Sequence, residues 1–291
     1  MNRRKFIRQT VLGTIGLGIT TGIYSWQVEP FWVEFVKKKI PVQNLPGELI
    51  GKTLIQISDL HIGNRFDYHY IIDAFKKAQE FQPDFVVYTG DFVSYENEKQ
   101  FDQLKEVLPH FVKGKLGTFG VLGNHDYGRN WSQPEVADKI ISQLENAEIK
   151  ILRNEKMISG GLTFIGIDDY WSTNFDGEKA MKNYKSGLPA IVLCHNPDVC
   201  DLNIWNGYKG WILSGHTHGG QVKAPFLPPF ILPVKNKKYS SGEIDLQNGR
   251  TLYINRAVGH LWQVRFNVRP EITIFELSKK QEEIKDYFFT I

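Results

Sequence analysis

The chain has 291 residues, 42% hydrophobic and 23% charged, with two cysteines and a formal net charge of +3. This composition suits a globular body with a full core, and one catalytic domain is the simplest division of it. Four of the positive charges, Arg3, Arg4, Lys5 and Arg8, fall in the first 26 residues with no acid among them, so the rest is near neutral. Such a body lacks a general phosphate-backbone footprint, and nucleic acid is not expected as a partner.

Residues 1–26 have the layout of a signal: a basic start, then an uncharged stretch from Thr10 to Trp26. Arg3-Arg4 followed by Lys5-Phe6 resembles a bacterial twin-arginine export signal, which makes the twin-arginine machinery an expected partner. The glycines at 13, 16, 18 and 22 keep the stretch only mildly apolar, as suits a route that carries folded proteins. No Ala-x-Ala cleavage pattern follows, so the segment reads as a signal or a retained membrane anchor. Trp26, Phe31 and Trp32 would be interfacial aromatics, with packing on the catalytic body as the alternative. The basic start places the body in the bacterial envelope, on the outer side of the cytoplasmic membrane. Residues 27–48 read as a linker and 49–291 as the catalytic domain.

From there apolar runs alternate with helical periods. Strands are expected at Leu54–Ile57, Phe85–Tyr88, Phe119–Leu122, Ile191–Leu193 and Trp211–Leu213. Helices are expected over Tyr68–Phe81, near Phe101–Leu108 and over Pro134–Asn146. Short strands joined at Ser159-Gly160-Gly161 occupy Ile149–Ile167, and more β structure follows at Thr251–Ile254, Trp262–Val268 and Glu271–Leu277. Alternation of this kind implies layered α/β packing.

Each of five strands ends in polar ligand types: Asp59 and His61; Gly90-Asp91; Gly123-Asn124-His125-Asp126; Cys194-His195; and Gly215-His216-Thr217-His218. In open α/β sheets, ligands gather beyond the carboxyl ends of the strands, so these residues converge in one crevice. Seven donors (Asp59, His61, Asp91, Asn124, His195, His216 and His218) exceed what one tetrahedral ion needs and suit two divalent ions sharing a carboxylate. Mn²⁺, Fe and Zn²⁺ all accept such ligands. His125 is then a spare imidazole, able to act as general acid or as a phosphate hydrogen-bond donor. His69 and His110 read as surface residues. Cys194 and Cys200 could be bridged, but Cys194 ends a core strand and reads better as a small buried thiol.

In their order these motifs resemble the calcineurin-like metallophosphoesterase family, over roughly residues 50–280. The resemblance implies a four-layer α/β sandwich with two mixed β-sheets flanked by helices and a dinuclear metal site at one edge. It implies that Asp59, His61, Asp91 and His218 hold one ion, and that Asp91, Asn124, His195 and His216 hold the other. Asp91 is the bridge, His125 the catalytic histidine and Asp126 the residue that steadies it. The reaction so implied is attack on a phosphoester by a water or hydroxide between the ions.

The segment Ala224–Val234 carries four prolines and leads into Lys235, Lys237 and Lys238. It reads either as a buried connection or as a lip that dips Phe226, Leu227, Phe230 and Ile231 into a membrane surface. Arg256 and Arg265 are candidate phosphate contacts, with structural roles as the alternative. Membrane-linked relatives of this family type are phosphodiesterases, and some resemble enzymes that cleave the pyrophosphate of UDP-diacylglucosamine. The expected substrate is therefore a lipid-linked phosphodiester or pyrophosphate. The alternatives are a phosphodiesterase or monoesterase of soluble exported nucleotides, or a non-catalytic metal-stabilised envelope scaffold; an intact His125-Asp126 pair has no use in a scaffold.

Overall fold

The computed structural model describes residues 2–280; Met1 and residues 281–291, the ends assigned above to the leader and the catalytic domain, lie outside it. In chain order the elements are α1 (Arg3–Ile23), β1 (Glu34–Val42), β2 (Thr53–Ile57), α2 (His69–Gln79), β3 (Phe85–Thr89), α3 (Lys99–Val107), β4 (Gly117–Val121), α4 (Pro134–Asn146), β5 (Lys150–Ile151), β6 (Glu155–Ser159) and β7 (Leu162–Ile167). The second half adds α5 (Gly177–Met181), β8 (Ala190–Cys194), β9 (Trp211–Ser214), β10 (Gly242–Asp245), β11 (Thr251–Ile254) and β12 (Glu271–Lys279).

The strands form two six-stranded mixed sheets, ordered β1-β12-β2-β3-β4-β5 and β10-β11-β9-β8-β7-β6. β2 to β5 run parallel to one another, as do β7, β8, β9 and β11. These inner strands are buried on both faces, which is why they read as short continuous apolar runs. Leu54, Phe85, Val87, Phe119 and Val121 of the first sheet meet Phe164, Ile191, Leu193 and Trp211 of the second in the inter-sheet core. On the outer face of the first sheet, Ile55, Ile57, Val86 and Tyr88 pack against Ile71 and Phe75 of α2, Leu104 of α3 and Ile140 and Leu144 of α4. The second sheet's outer face packs Val192 and Ile212 against Met181, Val199 and Trp205. The result is an α/β sandwich of two mixed sheets flanked by helices.

Gln56 stands in the inter-sheet layer, where an apolar residue would be the default. Its amide donates across the gap to the Ser214 carbonyl (2.9 Å) and to Thr89 Oγ1 (3.1 Å). A buried amide with partners on both sheets fixes their relative register directly beneath the strand ends.

Three segments differ from the sequence reading. Residues assigned to the linker contain β1, which pairs parallel with β12 over nine residues; its three lysines and its proline obscure the strand pattern, yet an edge position tolerates both. The end of the leader is also built into the body. Arg265 N–H donates to the Ser25 carbonyl (2.9 Å), and the buried Glu29 carboxylate accepts from Val268 N–H (2.6 Å). Phe31 packs edge-on against Tyr70 at 5.2 Å, so packing on the body is the outcome for that ring, while Trp26 and Trp32 stay exposed. Finally, Trp262–Val268 is not a strand. Its apolar alternation mimics one, but Gln221 satisfies its backbone instead, bonding Leu261 N–H and the Trp262 and Val264 carbonyls. α1 buries none of its residues, and no helix among the described residues is long and apolar enough to cross a membrane. Cys194 and Cys200 are both buried free thiols.

Candidate active site

All seven expected donors meet at the carboxyl ends of the strands, three elements from the first sheet facing two from the second. Asp59 and His61 follow β2, Asp91 follows β3 and Asn124 follows β4; His195 follows β8, and His216 and His218 follow β9. All seven are buried. Five of them, Asp59, His61, Asp91, His216 and His218, hold left-handed backbone with φ between 49° and 71°. Non-glycine residues rarely adopt it, and such strain clusters at functional sites because it aims side chains that a relaxed turn would not. Two glycines make room: a Cβ at Gly123 would fall 2.2 Å from Asp91 Oδ1, and one at Gly215 would fall 2.2 Å from Asp59 Oδ2.

The polar atoms form two linked groups. In one, His61 Nε2 lies 3.0 Å from His218 Nε2, and His218 Nε2 lies 3.2 Å from Asp59 Oδ1. In the other, His195 Nε2 lies 3.2 Å from Asp91 Oδ2 and 3.1 Å from His216 Nδ1. Asp91 Oδ2 is also 3.5 Å from His61 Nε2, so this carboxylate faces both groups.

The groups around the donors decide which nitrogen faces the centre. His195 Nδ1–H donates to the Thr89 carbonyl (2.8 Å) and His216 Nε2–H donates to the Pro233 carbonyl (2.8 Å), leaving the lone pair of each ring's other nitrogen pointing inward. Ser94 Oγ holds His61 Nδ1 at 2.9 Å. Outer hydrogen bonds of this kind fix tautomer and ring orientation in metal sites. Asn124 Oδ1 is buried without a hydrogen-bond partner. Burial pushes the His216 ring down to about 3 and holds His61 well below its usual range, keeping both rings neutral. Burial also pushes the Asp59 carboxyl up, but the His218 and His195 rings more than offset that and hold it at about 2. Inward lone pairs, ionised carboxylates and an orphaned amide oxygen make a donor set that fits divalent cations, and Asp59-His61-His218 and Asp91-His195-His216 are each compact enough to hold one.

His125 stands at the edge, half-buried, its ring edge-on to His61 at 5.0 Å. Its backbone N–H donates to Asp91 Oδ1 (2.9 Å). It also belongs to a third compact group, with His61 and Asp91. Asp126 is bonded to backbone and not to the His125 ring. Its carboxylate accepts the backbone N–H groups of Gly123 (2.9 Å) and Val93 (3.1 Å), so it braces the two loops that carry Asp91 and His125. The arginines are likewise not at the cluster. Arg265 is fully buried, donating to the carbonyls of Arg256, Ala257, Gly259 and Val268 and to His260 Nδ1. Arg256 is paired with Glu34 and Glu271.

Residues 52–220 match the family described as calcineurin-like phosphoesterase. That is more than half of the chain, and it contains every donor. The chain belongs to this family. It is a metal-dependent phosphoester hydrolase by class. The UDP-2,3-diacylglucosamine pyrophosphatase LpxG of Chlamydia muridarum is 27% identical, covering 92% of this chain and 97% of its own length. Phosphodiesterase YaeI of Escherichia coli is 29% identical over 95% of this chain and 99% of its own. The uncharacterized metallophosphoesterase YkuE of Bacillus subtilis is 29% identical over 96% and 98%.

The phosphoesterase site also contains residues that the sequence reading passed over. Asp169 follows β7 as the other acids follow their strands; it is fully buried, its Oδ2 has no partner, and burial pushes its carboxyl up to about 7. Trp171 sets its ring edge-on to His216 at 4.5 Å and stacks on Trp131 at 4.7 Å. The signal for Asp169 was the same strand-then-carboxylate pattern, masked by the two-acid run Asp168-Asp169, whose first member serves structure by bonding Tyr127, Arg153 and Asn174.

Proposed function

We propose that this phosphoesterase cleaves a lipid-linked phosphodiester or pyrophosphate, with Asp59, His61, Asp91 and His218 holding one divalent ion and Asp91, Asn124, His195 and His216 a second. When bound, the ions supply Lewis acidity toward a phosphoryl oxygen and lower the pKa of the attacking water. The residues around them orient and exclude. Thr89, Ser94 and Pro233 lock the ring orientations, and burial of all seven donors keeps bulk water from the centre. His125, with no side-chain hydrogen bond among the described residues, is left to donate a proton or a hydrogen bond at the leaving oxygen. Asp126 positions it through the loop.

The observation that carries the lipid-linked reading is the proline-rich segment, whose apolar side chains from Phe226 to Ile231 are exposed while Leu232 and Val234 anchor its end in the core. Phe226 is fully exposed and Phe230 is 81% exposed, with Leu227 and Ile231 also in solvent, while Pro233 of the same segment touches His216. Apolar side chains held in water beside a hydrolytic centre suit a membrane surface. All three lysines are exposed at its end, and Lys237 Nζ donates to the Leu232 and Val234 carbonyls. The name of the LpxG relative agrees with such a substrate. The stacked Trp131–Trp171 pair favours a second reading, hydrolysis of soluble exported nucleotides, since a nucleobase can stack there.

The test is a screen of purified protein, with Mn²⁺, Fe²⁺ or Zn²⁺, against a phosphomonoester, bis-p-nitrophenyl phosphate, a dinucleotide pyrophosphate and UDP-diacylglucosamine. The proposal expects metal-dependent turnover with the lipid pyrophosphate preferred. Preference for the dinucleotide would establish the second reading, and no turnover with any metal would leave the scaffold reading.

A further inference from the structure

A cavity of about 620 Å³ borders the donor cluster between the proline-rich segment and the irregular stretch at Leu261–Val264. His216 and His218 form its inner end, and Val222, Ile231, Trp262 and Val264 are prominent in its walls. We propose that this cavity binds one acyl or alkyl chain of the substrate whose phosphoryl group sits at the cluster. The proposal rests on the phosphodiester reading above and adds to it a binding site.

Three observations select a hydrocarbon chain as the occupant. The cavity borders the donor cluster at His216 and His218, so a group that fills it lies next to the place of the reacting phosphoryl group. Its polar wall atoms are already used. The Gln221 amide is spent on Leu261, Trp262 and Val264, Thr217 Oγ1 donates to the Ser240 carbonyl (2.5 Å), and His216 Nε2 donates to Pro233. Apart from the His218 ring, which belongs to the cluster, and the Trp262 indole N–H at the exposed rim, no side-chain donor there is left to pair with a nucleobase or sugar, and burying such a group with so few partners is unfavourable. Lastly, the outer rim is hydrocarbon in water: Phe230, Ile231 and Trp262 are all more than half exposed, so a chain drawn from a lipid surface meets apolar contacts from the rim inward. The volume lies within the range of pockets that enclose most of a small ligand.

A series of p-nitrophenyl alkyl phosphodiesters with methyl, butyl, octyl and dodecyl groups, used below their aggregation concentrations with Mn²⁺-loaded full-length protein, tests this. Each methylene that enters the cavity should lower KM about fourfold, with kcat steady and the gain levelling off once the cavity is full. Val222→Asn with Trp262→Gln, both at partly exposed positions, should flatten the series while leaving kcat for the methyl ester within about twofold. Quenching of tryptophan fluorescence by a bromine-labelled dodecyl phosphate reads occupancy without turnover, and Val222→Asn alone, which keeps the Trp262 reporter, should weaken it. A methyl ester that is hydrolysed with a KM series that is flat in the unsubstituted protein, or a slope kept by the double variant, overturns the proposal. Failure of the methyl ester with every metal would instead remove the phosphodiesterase reading, and the quenching result would then decide the cavity alone.

Discussion

His125→Ala and Asp91→Asn should separate chemistry from ligation. The His125 ring makes no side-chain hydrogen bond among the described residues and is half-buried at the edge of the cluster. Its removal should therefore cost less than about 1 kcal/mol of stability. If the ring serves as a general acid or phosphate donor, kcat falls by about 10²- to 10⁴-fold, which corresponds to roughly 3 to 5.5 kcal/mol of transition-state stabilisation. Metal content should stay at the unsubstituted level. Asp91 is different, because its Oδ2 faces His61 at 3.5 Å and His195 at 3.2 Å, one ring from each donor group. Replacing the carboxylate by an amide keeps its shape and its acceptor for the His125 N–H, but removes the carboxylate that faces both groups. Asp91→Asn should thus lose metal together with activity. Elemental analysis of the two purified variants, alongside bis-p-nitrophenyl phosphate turnover, measures both quantities. His125, His61 and Asp91 are themselves close enough to hold an ion, so the outcome is not forced. Metal loss in His125→Ala equal to that in Asp91→Asn would make His125 a ligand and leave the leaving group without its proton donor.

Polar replacement of Phe226 and Phe230 should weaken association with anionic vesicles with no change in melting temperature; a fall in stability alongside activity on every substrate would mark the segment as packing. Vesicle binding is best measured on protein lacking only residues 1–23, since Ser25, Glu29 and β1 belong to the body. Arg3→Lys with Arg4→Lys should hold the protein inside the cell, as read by fractionation, because general basic charge is kept and only the paired guanidinium feature is lost; unchanged export would point to another route. Arg265→Leu should destabilise by more than about 3 kcal/mol, as four buried carbonyls lose their donor, and a loss under about 1 kcal/mol in denaturant titration would contradict that bookkeeping. Hydrogen bonds to Asp67 and Glu106 raise the pKa of His69, so its stabilising contribution is fully present below its unfolded value near 6.5 and is lost as pH rises through the raised folded value. NMR titration should show this elevation, and Asp67→Ala should reduce it.

The donor set was legible because each ligand follows an apolar run too short for a helix, and because strand ends of parallel sheets point to one edge. The helix Pro134–Asn146 was equally plain, with proline at its first position and a 3.6-residue apolar period. What escaped depends on partners remote in sequence. Asp126 looked like an orienting carboxylate for its neighbour, and only the approach of Val93 shows that it serves two backbone amides. The strand-like alternation of Trp262, Val264 and Phe266 carries no sign of Gln221, forty residues earlier, which occupies that segment's hydrogen bonds. β1 is hidden by lysines that an edge strand tolerates, and Arg265 offers no sequence feature that distinguishes a buried structural guanidinium from a substrate contact.

The division of the donors between two sheets has a consequence for synthesis. Asp59, His61, Asp91 and Asn124 lie in the first 124 residues, whereas His195, His216 and His218 arrive much later in the chain. Neither half holds a full coordination set, and the Gln56 to Ser214 contact that aligns the halves forms only when β9 closes against β2. Complete sites therefore exist only after the whole sandwich has assembled, and selectivity among first-row metals comes from geometry, ligand type and metal availability rather than from raw affinity. Metal availability where the last strands close should therefore act beside the ligand set in deciding which ion is bound, a dependence that metal analysis of protein refolded in different metal mixtures would read.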